Sequence, residues 1–443
     1  MPVTRRAVLR NAVVAAVAAP FVHGAHAAGT LSVGFWDHWV PGANEPLAEL
    51  CREWAAREKV EIKIDFITAS GDKDLLTAAA ESQSKTGHDV LGLLAWYAPG
   101  YADSLEPVDD VMAELIHQHG PAIAGAEYLG KQNGHWIAVP TAVGSTVSPP
   151  CARIDLMKQI TGIDVTRMYP PNAPADPALT ADWTWEGFSQ AAEKCFKAGY
   201  PFGMPISTCS DSVQWVGALF NSHGAELVDA SGAITVDSDP VRTVLEWAKK
   251  TVRFFPESVF AWDDSSNNKA LISGQSALIF NAPSAWAVAK RDAPKIAEQL
   301  WTFPTPKGPK GRHVSGRYRY WGIWNFSQNK SAAKSLLLSL SSRASMEKLM
   351  RASQGFDVPP FASLSTFDIW AEAEPPKGTL YNFPPRGDVI VSVACSPAPA
   401  RIGVQMYSQA TMCKMIAQCT QQGKSVDEAI AFGRQELEGF MRS

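Results

Sequence analysis

Residues 31–95 alternate between strand-like and helix-like hydrophobic patterns, and this alternation constrains the fold more than any other feature of the sequence. Apolar and charged residues alternate over 60–66, which is the period of a half-buried strand. Leu47, Leu50, Cys51 and Trp54 instead recur at the spacing of one helix face. Strands are predicted at 31–35, 60–66 and 89–95, and helices around 47–54 and at 72–86. This order favours an α/β fold, in which helices flank a mainly parallel sheet.

The rest of the chain is more helical. Ser425 and Glu428 form a capping box, which is a strong signal for the start of the last helix. Because a single core stops growing well below 443 residues, at least two domains are expected. Helices are predicted at 183–198 with Thr184 as N-cap, from an Asp239 cap with Pro240 at the first position, at 331–350 without a break, and at 426–441.

The N-terminus has the features of an export signal rather than of a folded domain. Arg5 and Arg6 lie in a segment typical of twin-arginine leaders, although Phe is more usual where Val8 stands. A short apolar stretch and an Ala-His-Ala cleavage site follow, which predicts a mature chain beginning at Ala28. No later segment reaches the length of a membrane helix, so we expect a soluble periplasmic protein. The leader holds three Arg and no acid, and its loss changes the net charge from −4 to −7.

The seven cysteines all lie in the predicted mature chain. An odd number in an oxidising compartment leaves at least one thiol unpaired. Because the twin-arginine route exports proteins that have already folded in the cytoplasm, we interpret most of these cysteines as buried free thiols. One disulfide is the alternative.

The motifs that usually identify an enzyme or a metalloprotein are missing from the sequence. It contains no phosphate-binding loop, no zinc-binding HExxH, no paired CxxC and no GxSxG nucleophile elbow. In the predicted mature chain, His117 and His119 are the only close histidine pair, and on a helix they would face different sides. The slightly acidic net charge also argues against nucleic acid or an anionic membrane as a partner. We therefore predict a non-enzymatic protein without cofactor or metal.

Two pairs of adjacent acids, Asp109–Asp110 and Asp263–Asp264, leave one enzymatic alternative open. Paired carboxylates can hydrolyse glycosides. Adjacent acids more often lie in solvated turns or at helix starts, and this is the preferred interpretation. An exported glycan-processing enzyme that uses Asp263 or Asp264 is the alternative.

The 15 tryptophans are more than a core of this size usually needs. Several follow predicted strands directly, such as Trp36 after the first and Trp96 after the third. In open α/β sheets, ligands bind at the carboxyl ends of the strands. A sugar presents apolar C–H faces to aromatic rings and hydroxyls to polar side chains. The aromatic clusters therefore predict a ligand cleft, with core packing as the alternative for any single ring; Trp54 and Trp247 are assigned to helix packing.

Several short motifs occur in the order and spacing of a known family. The segment from Thr86 to Val90 resembles its "sGxxPDv" step, with His88 where Pro is usual, and Gly187 replaces the acid of "P-x-TWdEf". Further similar segments begin at Leu31, Tyr101, Asn133, Phe220, Ile272 and Asn329. Over nearly the whole mature length, the chain resembles the extracellular solute-binding proteins of ABC importers, in the carbohydrate-binding class that includes maltodextrin-binding proteins.

The resemblance implies a two-lobed periplasmic binding protein fold (type II), with a mainly parallel, helix-flanked sheet in each lobe and a hinge between them. It implies a monomer that closes on a sugar or oligosaccharide and then docks on transmembrane permease subunits. A quaternary amine or a polyol phosphate is the alternative ligand. The implied course is a leader at 1–27, the first lobe at 28–142, the second lobe at 143–313, a return to the first lobe at 314–358, and second-lobe helices at 359–443.

The resemblance also implies which residues contact the ligand. They follow the first-lobe strands, lie in second-lobe segments, or lie on the crossover that returns to the first lobe. Arg317 and Arg319 exceed the needs of a neutral sugar; they could bind an acidic sugar or a phosphate, but pairing with surface carboxylates is preferred. The implied ligand-binding residues are Trp36, Asp37, His38, Ser70, Gly71, Asp72, Trp96, Tyr97, Trp215, Asn281, Ser284, Trp286, Arg319, Tyr320, Trp321 and Gly322.

Overall fold

The computed structural model describes residues 29–40, 42–170, 173–281, 284–369 and 388–442. The predicted leader and the proline-rich stretch at 375–385 lie outside these residues, so twin-arginine export stays a prediction. Within the described residues, no helix is both long and apolar enough to cross a bilayer.

The described strands are β1 (Thr30–Trp36), β2 (Glu61–Ile67), β3 (Val90–Leu94), β4 (Lys131–Gln132), β5 (His135–Trp136), β6 (Val139–Val147), β7 (Pro150–Arg153), β8 (Leu278–Phe280), β9 (Leu300–Thr302), β10 (Arg312–Ile323) and β11 (Val389–Ser392). They confirm the α/β order predicted from residues 31–95, because β1 lies parallel to both β2 and β3. The largest sheet has the order β11-β10-β3-β1-β2, and β6 also pairs with β10. A smaller sheet, β8-β7-β9, is antiparallel, unlike the parallel sheet expected of the second lobe.

The helices follow the predicted pattern with a few exceptions. The longer ones are α1 (Asn44–Glu58), α2 (Lys73–Ser84), α3 (Asp109–His119), α4 (Trp185–Lys197), α5 (Ser210–His223), α6 (Asp239–Thr251), α7 (Ser284–Asp292), α8 (Lys330–Leu340), α9 (Arg343–Ala352), α10 (Ala400–Ser408), α11 (Thr411–Thr420) and α12 (Val426–Arg442). Shorter helical segments are Ser70–Asp72, Tyr97–Gly100, Ala102–Ser104, Ala124–Gly130, Ile154–Leu156, Met157–Thr161, Val165–Met168, Pro177–Asp182, Val252–Phe254, Glu257–Ala261, Ser266–Ile272, Pro294–Ala297 and Ala362–Thr366.

Local hydrogen bonds explain which helix predictions hold. Thr184 accepts from the Gly187 amide at 3.2 Å and caps α4 as predicted. The capping box of α12 is also confirmed, since the Ser425 amide donates to Glu428 Oε2 at 2.8 Å. The single helix predicted at 331–350 is wrong, because Ser342 Oγ accepts from the Ser345 amide and starts a second helix. The cap of α6 is Ser238 rather than Asp239, which is the first helical residue.

The strands β6 and β10 connect two large apolar cores, and we call the parts around them the first and second lobes. Leu31 and Trp54 belong to the first core, whereas Phe188 and Leu245 belong to the second. One half of β10 pairs with β11 and the other with β3, so the strand passes from one lobe to the other. The predicted boundaries at 142/143 and 313/314 fall inside these two crossover strands.

The residues just after 358 pack with the first core. Phe361, Leu364 and Phe367 are all buried there. Because these side chains complete the first core, the last second-lobe segment begins later in the chain than residue 359.

Six of the seven cysteines are buried, as predicted for most of them, and Cys209 is half-buried. All seven are free thiols in the structure. Burial raises the pKa of the Cys51, Cys151 and Cys195 thiols to about 12, so these groups stay protonated and poorly reactive.

His88, which stands where the family usually has Pro, joins β2 to α2. Its Nδ1 lies 2.5 Å from Glu81 Oε1 and its Nε2 lies 3.1 Å from Asp65 Oδ2. Glu81 is itself buried and also accepts a hydrogen bond from Trp324 Nε1 at 2.8 Å. The hydrogen bond that His88 donates to Glu81 and the charges of the nearby acids raise the pKa of His88 above its usual value, against the opposing effect of burial.

We expect this contact to make stability depend on pH. The folded-state pKa of His88 is raised, so its stabilisation is complete below the unfolded pKa of about 6.5 and is lost as pH rises through the folded value. His88→Gln should lower the unfolding free energy at pH 6 by about 1–3 kcal/mol and flatten this dependence. Chemical denaturation between pH 5 and about 9 measures both. His135→Gln is the matched control, since His135 pairs with Asp109 but is exposed; an equal effect there would contradict the assignment.

Candidate functional site

Two adjoining spaces lie between the lobes. The larger, which we call the interlobe cavity, has a volume of about 500 Å³. The smaller, which we call the arginine crevice, has a volume of only about 10 Å³, and the two meet at Trp39. The interlobe cavity is lined by Asp37, His38, Trp39, Thr68 and Ser70 of the first lobe and by Ser265, Asn268, Lys269, Ile272, Val288, Arg291 and Asp292 of the second. The crevice is lined by Trp36, Trp39, Gly144, Ser148, Asn281, Ser284, Arg317, Arg319 and Phe356.

Trp36 lies at the carboxyl end of β1, as predicted, but its ring is already covered. The guanidinium carbon of Arg319 lies 4.0 Å from the ring centroid, and Phe356 stacks at 6.3 Å. Only 5% of Trp36 is exposed. Its Nε1 is buried and has no hydrogen-bond partner among the described residues. The ring therefore supports Arg319 rather than offering a free face to a ligand.

Gly144 makes room for Arg319 between the crossover strands. The pairing of β6 with β10 shifts register between Arg317 and Arg319, and Gly144 has a φ of +68°. A Cβ at Gly144 would lie 2.7 Å from Arg319 Cδ, so both the backbone conformation and the close approach require glycine.

Arg319 is buried without an ionic partner among the described side chains. Burial lowers the pKa of Arg319 to about 10, and the nearby carboxylate of Asp74 acts in the opposite direction without forming an ion pair. The guanidinium remains charged at neutral pH. A buried cation whose donors are not taken up by a carboxylate can donate hydrogen bonds to a ligand.

Arg317 pairs with a carboxylate, as preferred from the sequence, but the pair is mostly buried rather than at the surface. For Arg319, the expected pairing with a surface carboxylate is wrong, because it is buried and forms no ion pair with a described side chain. Arg317 Nη1 lies 2.6 Å from Asp211 Oδ1, and only 12% and 1% of the two side chains are exposed. Burial raises the pKa of Asp211 to about 7 although Arg317 acts against it. Asn267 donates to the second Asp211 oxygen at 2.9 Å. The guanidinium of Arg317 is therefore occupied by Asp211, and this ion pair lies at the second-lobe side of the crevice.

An amide network continues from this ion pair to two predicted ligand contacts. Asn281 Nδ2 donates to Asn268 Oδ1 at 3.2 Å, and Asn268 donates to Ser284 Oγ at the same distance. The structure thus places Asn281 and Ser284 on the wall of the crevice, with orientations set by their neighbours.

Asp37 and His38 line the interlobe cavity, but hydrogen bonds to other groups of the protein hold both side chains in place. The Val40 amide donates to His38 Nδ1, so Nε2 carries the proton and donates to Asp357 at 2.9 Å. Asn44 Nδ2 donates to Asp37 Oδ1 at 2.7 Å, which leaves the second carboxylate oxygen of Asp37 for other contacts. His38 therefore orients the site and has no free nitrogen for a ligand.

Trp39 is the ring that sequence reasoning did not select. It is half-buried, lines both spaces and has no aromatic partner among the described residues. Trp39 stands three residues after Trp36, but the sequence does not show which of the two rings Arg319 covers.

The loop after β2 brings acids to the same region. Ser70 lines the interlobe cavity, and Gly71 and Asp72 both have left-handed backbone conformations, with φ of +67° and +56°. Burial raises the pKa of Asp72 and of Asp74, and across the cleft Asp264 acts in the same direction on both. Burial is the largest cause that raises the pKa of Tyr97, and the charges of Asp74 and Asp72 raise it further. Tyr97, one of the predicted ligand-binding residues, therefore lies beside these acids. Asp74 was not predicted.

The adjacent acid pairs occupy turns and helix starts, as preferred from the sequence. Asp263 Oδ1 accepts from the Ser265 amide at 3.1 Å, and Asp264 Oδ2 accepts from Ser210 Oγ at 2.8 Å. Asp109 is the first residue of α3.

Three other predicted aromatic residues lie in the interior, each at most 1% exposed. Trp96 Nε1 donates to the Ala394 carbonyl at 2.7 Å and Trp215 Nε1 to that of Pro205 at 2.7 Å. Tyr320 OH donates to the Ala126 carbonyl at 2.8 Å. Successive side chains of a strand point to opposite faces, so Arg319 and Tyr320 do not face the same space.

The remaining predicted residues are also in packing positions. Trp321 lies 5.6 Å from Phe35, and Leu93 and Leu105 cover Gly322. Trp286 packs within the second lobe beneath Lys290, whose Nζ lies 4.8 Å from the ring centroid. The structure therefore does not bring these residues to the interlobe cavity.

The arrangement has the features of a site that binds a ligand. Among the described residues, no three His, Cys, Asp or Glu side chains are placed to hold a metal ion. The site combines an aromatic face, a buried cation and carboxylates that belong to both lobes.

Comparisons with solved structures agree with the fold. The maltose-bound MalE3 of T. maritima superposes with a TM-score of 0.72 at 19% identity, covering 92% of this chain and 99% of that one. The GacH receptor of Streptomyces glaucescens, described unliganded and with acarbose, gives 0.70 at 17%, covering 94% and 99%. A Thermotoga lettingae solute-binding protein bound to α-D-tagatose gives 0.73 at 15%, covering 93% and 100%.

Sequence comparisons identify the family. A Deinococcus radiodurans protein described as a "probable ABC transporter-binding protein" is 25% identical over 365 residues, which is 78% of each chain. The profile of the family described as "bacterial extracellular solute-binding protein" matches residues 49–376, well over half of the sequence. The chain therefore belongs to the bacterial extracellular solute-binding proteins, a non-enzymatic family.

Proposed function

We propose that this protein captures a sugar or oligosaccharide in the interlobe cavity, in the periplasm, and delivers it to the membrane permease of its transporter. The observation that carries the proposal is the half-buried ring of Trp39, which lines both the interlobe cavity and the crevice that contains Arg319. Arg319 does not pair with the nearby carboxylate of Asp74. Structurally similar proteins are described as bound to maltose, acarbose and α-D-tagatose, which supports a sugar ligand.

A neutral polyhydroxylated ligand suits this charge arrangement. Each hydroxyl can accept from the Arg319 guanidinium and donate to a carboxylate, so the ligand can bridge the two charges without adding its own. An apolar sugar face can lie on Trp39. Binding across the cavity would join residues of both lobes and favour the closed state.

The two alternative ligands fit less well. A quaternary amine needs free aromatic faces, but Arg319 already covers Trp36 and would repel a cation. A polyol phosphate would have Arg319 as a partner, but the nearby carboxylates of Asp72, Asp74 and Asp264 would oppose it. Both alternatives are distinguished from a neutral sugar by experiment.

Periplasmic location by the twin-arginine route and a monomeric state are part of the proposal. The periplasmic location rests on the leader sequence, which we propose is removed after Ala27. The monomeric state rests on the resemblance to the family. The lobe boundaries stay proposals as well, with the hinge at β6 and β10.

Trp39→Ala should weaken binding of the best saccharide by about tenfold or more, because it removes the stacking face. A thermal-shift screen with a sugar library identifies that saccharide, and titration calorimetry measures its affinity. Trp286→Ala is the matched control and should leave the affinity unchanged, since Trp286 packs within the second lobe. Equal affinity of wild type and Trp39→Ala would contradict the site.

Ionic strength should have little effect on a neutral ligand. Between about 0.05 and 0.5 M NaCl, we expect the dissociation constant to change by less than about twofold. Arg319→Gln should weaken binding in both buffers, because it removes hydrogen-bond donors. A loss of about tenfold or more in affinity at high salt, abolished by Arg319→Gln, would instead indicate an anionic ligand.

A further inference from the structure

A second cavity, of about 550 Å³, lies within the second lobe and shares no described lining residue with the interlobe cavity. We call it the C-terminal cavity. It is bounded by the segments 206–208 and 260–262, by α11 and by α12. Its volume is within the range of natural small-molecule sites.

The lining of the C-terminal cavity is aromatic and amide-rich. The rings of Phe260, Trp262 and Phe432 are half-buried at its wall. Three glutamine side chains, Gln418, Gln421 and Gln422, also line it, and no hydrogen bond joins them to another described residue. Such flat apolar faces beside groups that both donate and accept hydrogen bonds match the two surfaces of a sugar.

The charges in this cavity balance. Lys414 Nζ lies 2.9 Å from Glu436 Oε1, so the one cation is paired. Glu436 Oε2 is buried and has no hydrogen-bond partner among the described residues. A buried acceptor without a donor is costly, and a ligand hydroxyl would satisfy it. The cavity thus fits a neutral hydroxylated ligand better than an ion.

A single turn separates the two cavities. Trp262 lines the C-terminal cavity, and Ser265, three residues later, lines the interlobe cavity. The Ser266 amide donates to the Asp263 carbonyl at 3.1 Å, which closes the turn between them. This turn runs from Asp263 to Ser266, and Trp262 and Ser265 are three residues apart, so their Cα atoms lie within about 11 Å of each other. A chain of linked sugars could therefore cross the turn and occupy both cavities.

We infer that the C-terminal cavity is a subsite for the distal units of an oligosaccharide whose first units occupy the interlobe cavity. This inference rests on the proposed function. Trp262 stacks on a distal unit, and the three glutamines and Glu436 bind its hydroxyls. The protein consequently prefers long saccharides to short ones of the same sugar and linkage.

The test compares saccharide lengths on the full mature chain. The probes are α- and β-linked gluco-, galacto- and manno-oligosaccharides of about one to six units. Wild type should bind the longest member of its preferred series about tenfold more tightly than the monosaccharide or disaccharide. Trp262→Ala should remove that difference and leave short members unaffected, whereas Trp39→Ala should weaken all lengths.

Two further variants guard against effects of folding. Gln421→Ala changes an exposed side chain of the cavity and should reduce the preference for length without altering thermal stability. Phe196→Ala, an exposed second-lobe ring outside both cavities, should change nothing. Binding that does not depend on length, or length preference that survives both Trp262→Ala and Gln421→Ala, overturns the subsite but not the proposed function. Failure of wild type to bind any saccharide overturns both.

Discussion

Arg319 stacks on Trp36 at the point where both crossover strands, the first sheet and the space between the lobes meet. A cation over an indole ring contributes about 2 kcal/mol when it is desolvated, so the contact offsets part of the cost of burying the charge. Gly144 of the other crossover strand supplies the space, and Asp357 accepts from its amide and from His38. Through its contact with Trp36, Arg319 of one crossover strand therefore packs against the segment that carries Trp39.

This arrangement separates a buried cation from the acids that would otherwise neutralise it. Asp211 forms an ion pair with Arg317, and Asp74 acts electrostatically on Arg319 without forming an ion pair with it. Opposite charges that are fixed in place without pairing form a preorganised site, since the protein orders them before a ligand binds. Both charges lie in the first lobe, so a ligand that bridges them joins the lobes only by also contacting the second-lobe wall of the interlobe cavity, at residues such as Asn268 and Lys269.

Much of the fold was predictable because its signals are local. The strand periods at 60–66, the Thr184 cap and the Ser425 capping box each depend on residues a few positions apart, and all are confirmed. The break at Ser342 was missed because a serine cap within a continuous helical pattern looks like an ordinary helix residue. The antiparallel smaller sheet depends on strands far apart in the chain, for which no short-range signal exists.

The site was less predictable, because the position of a residue directly after a strand does not determine the direction in which its side chain points. Asn281, Ser284 and Arg319 reach the crevice, yet Trp96, Trp215 and Trp286 are used for packing. The excess of tryptophan mostly fills interiors, where indole nitrogens donate to backbone carbonyls. The places of Trp39 and Asp74 in the site could not be predicted, because they depend on contacts between segments that are distant in the sequence.

A crystal structure of the mature chain with its tightest-binding saccharide tests the central claim most directly. We predict a sugar ring stacked on Trp39, with hydroxyls within hydrogen-bond distance of Arg319 and of a first-lobe carboxylate. A saccharide bound elsewhere, with Trp39 and Arg319 free of contact, would contradict the account.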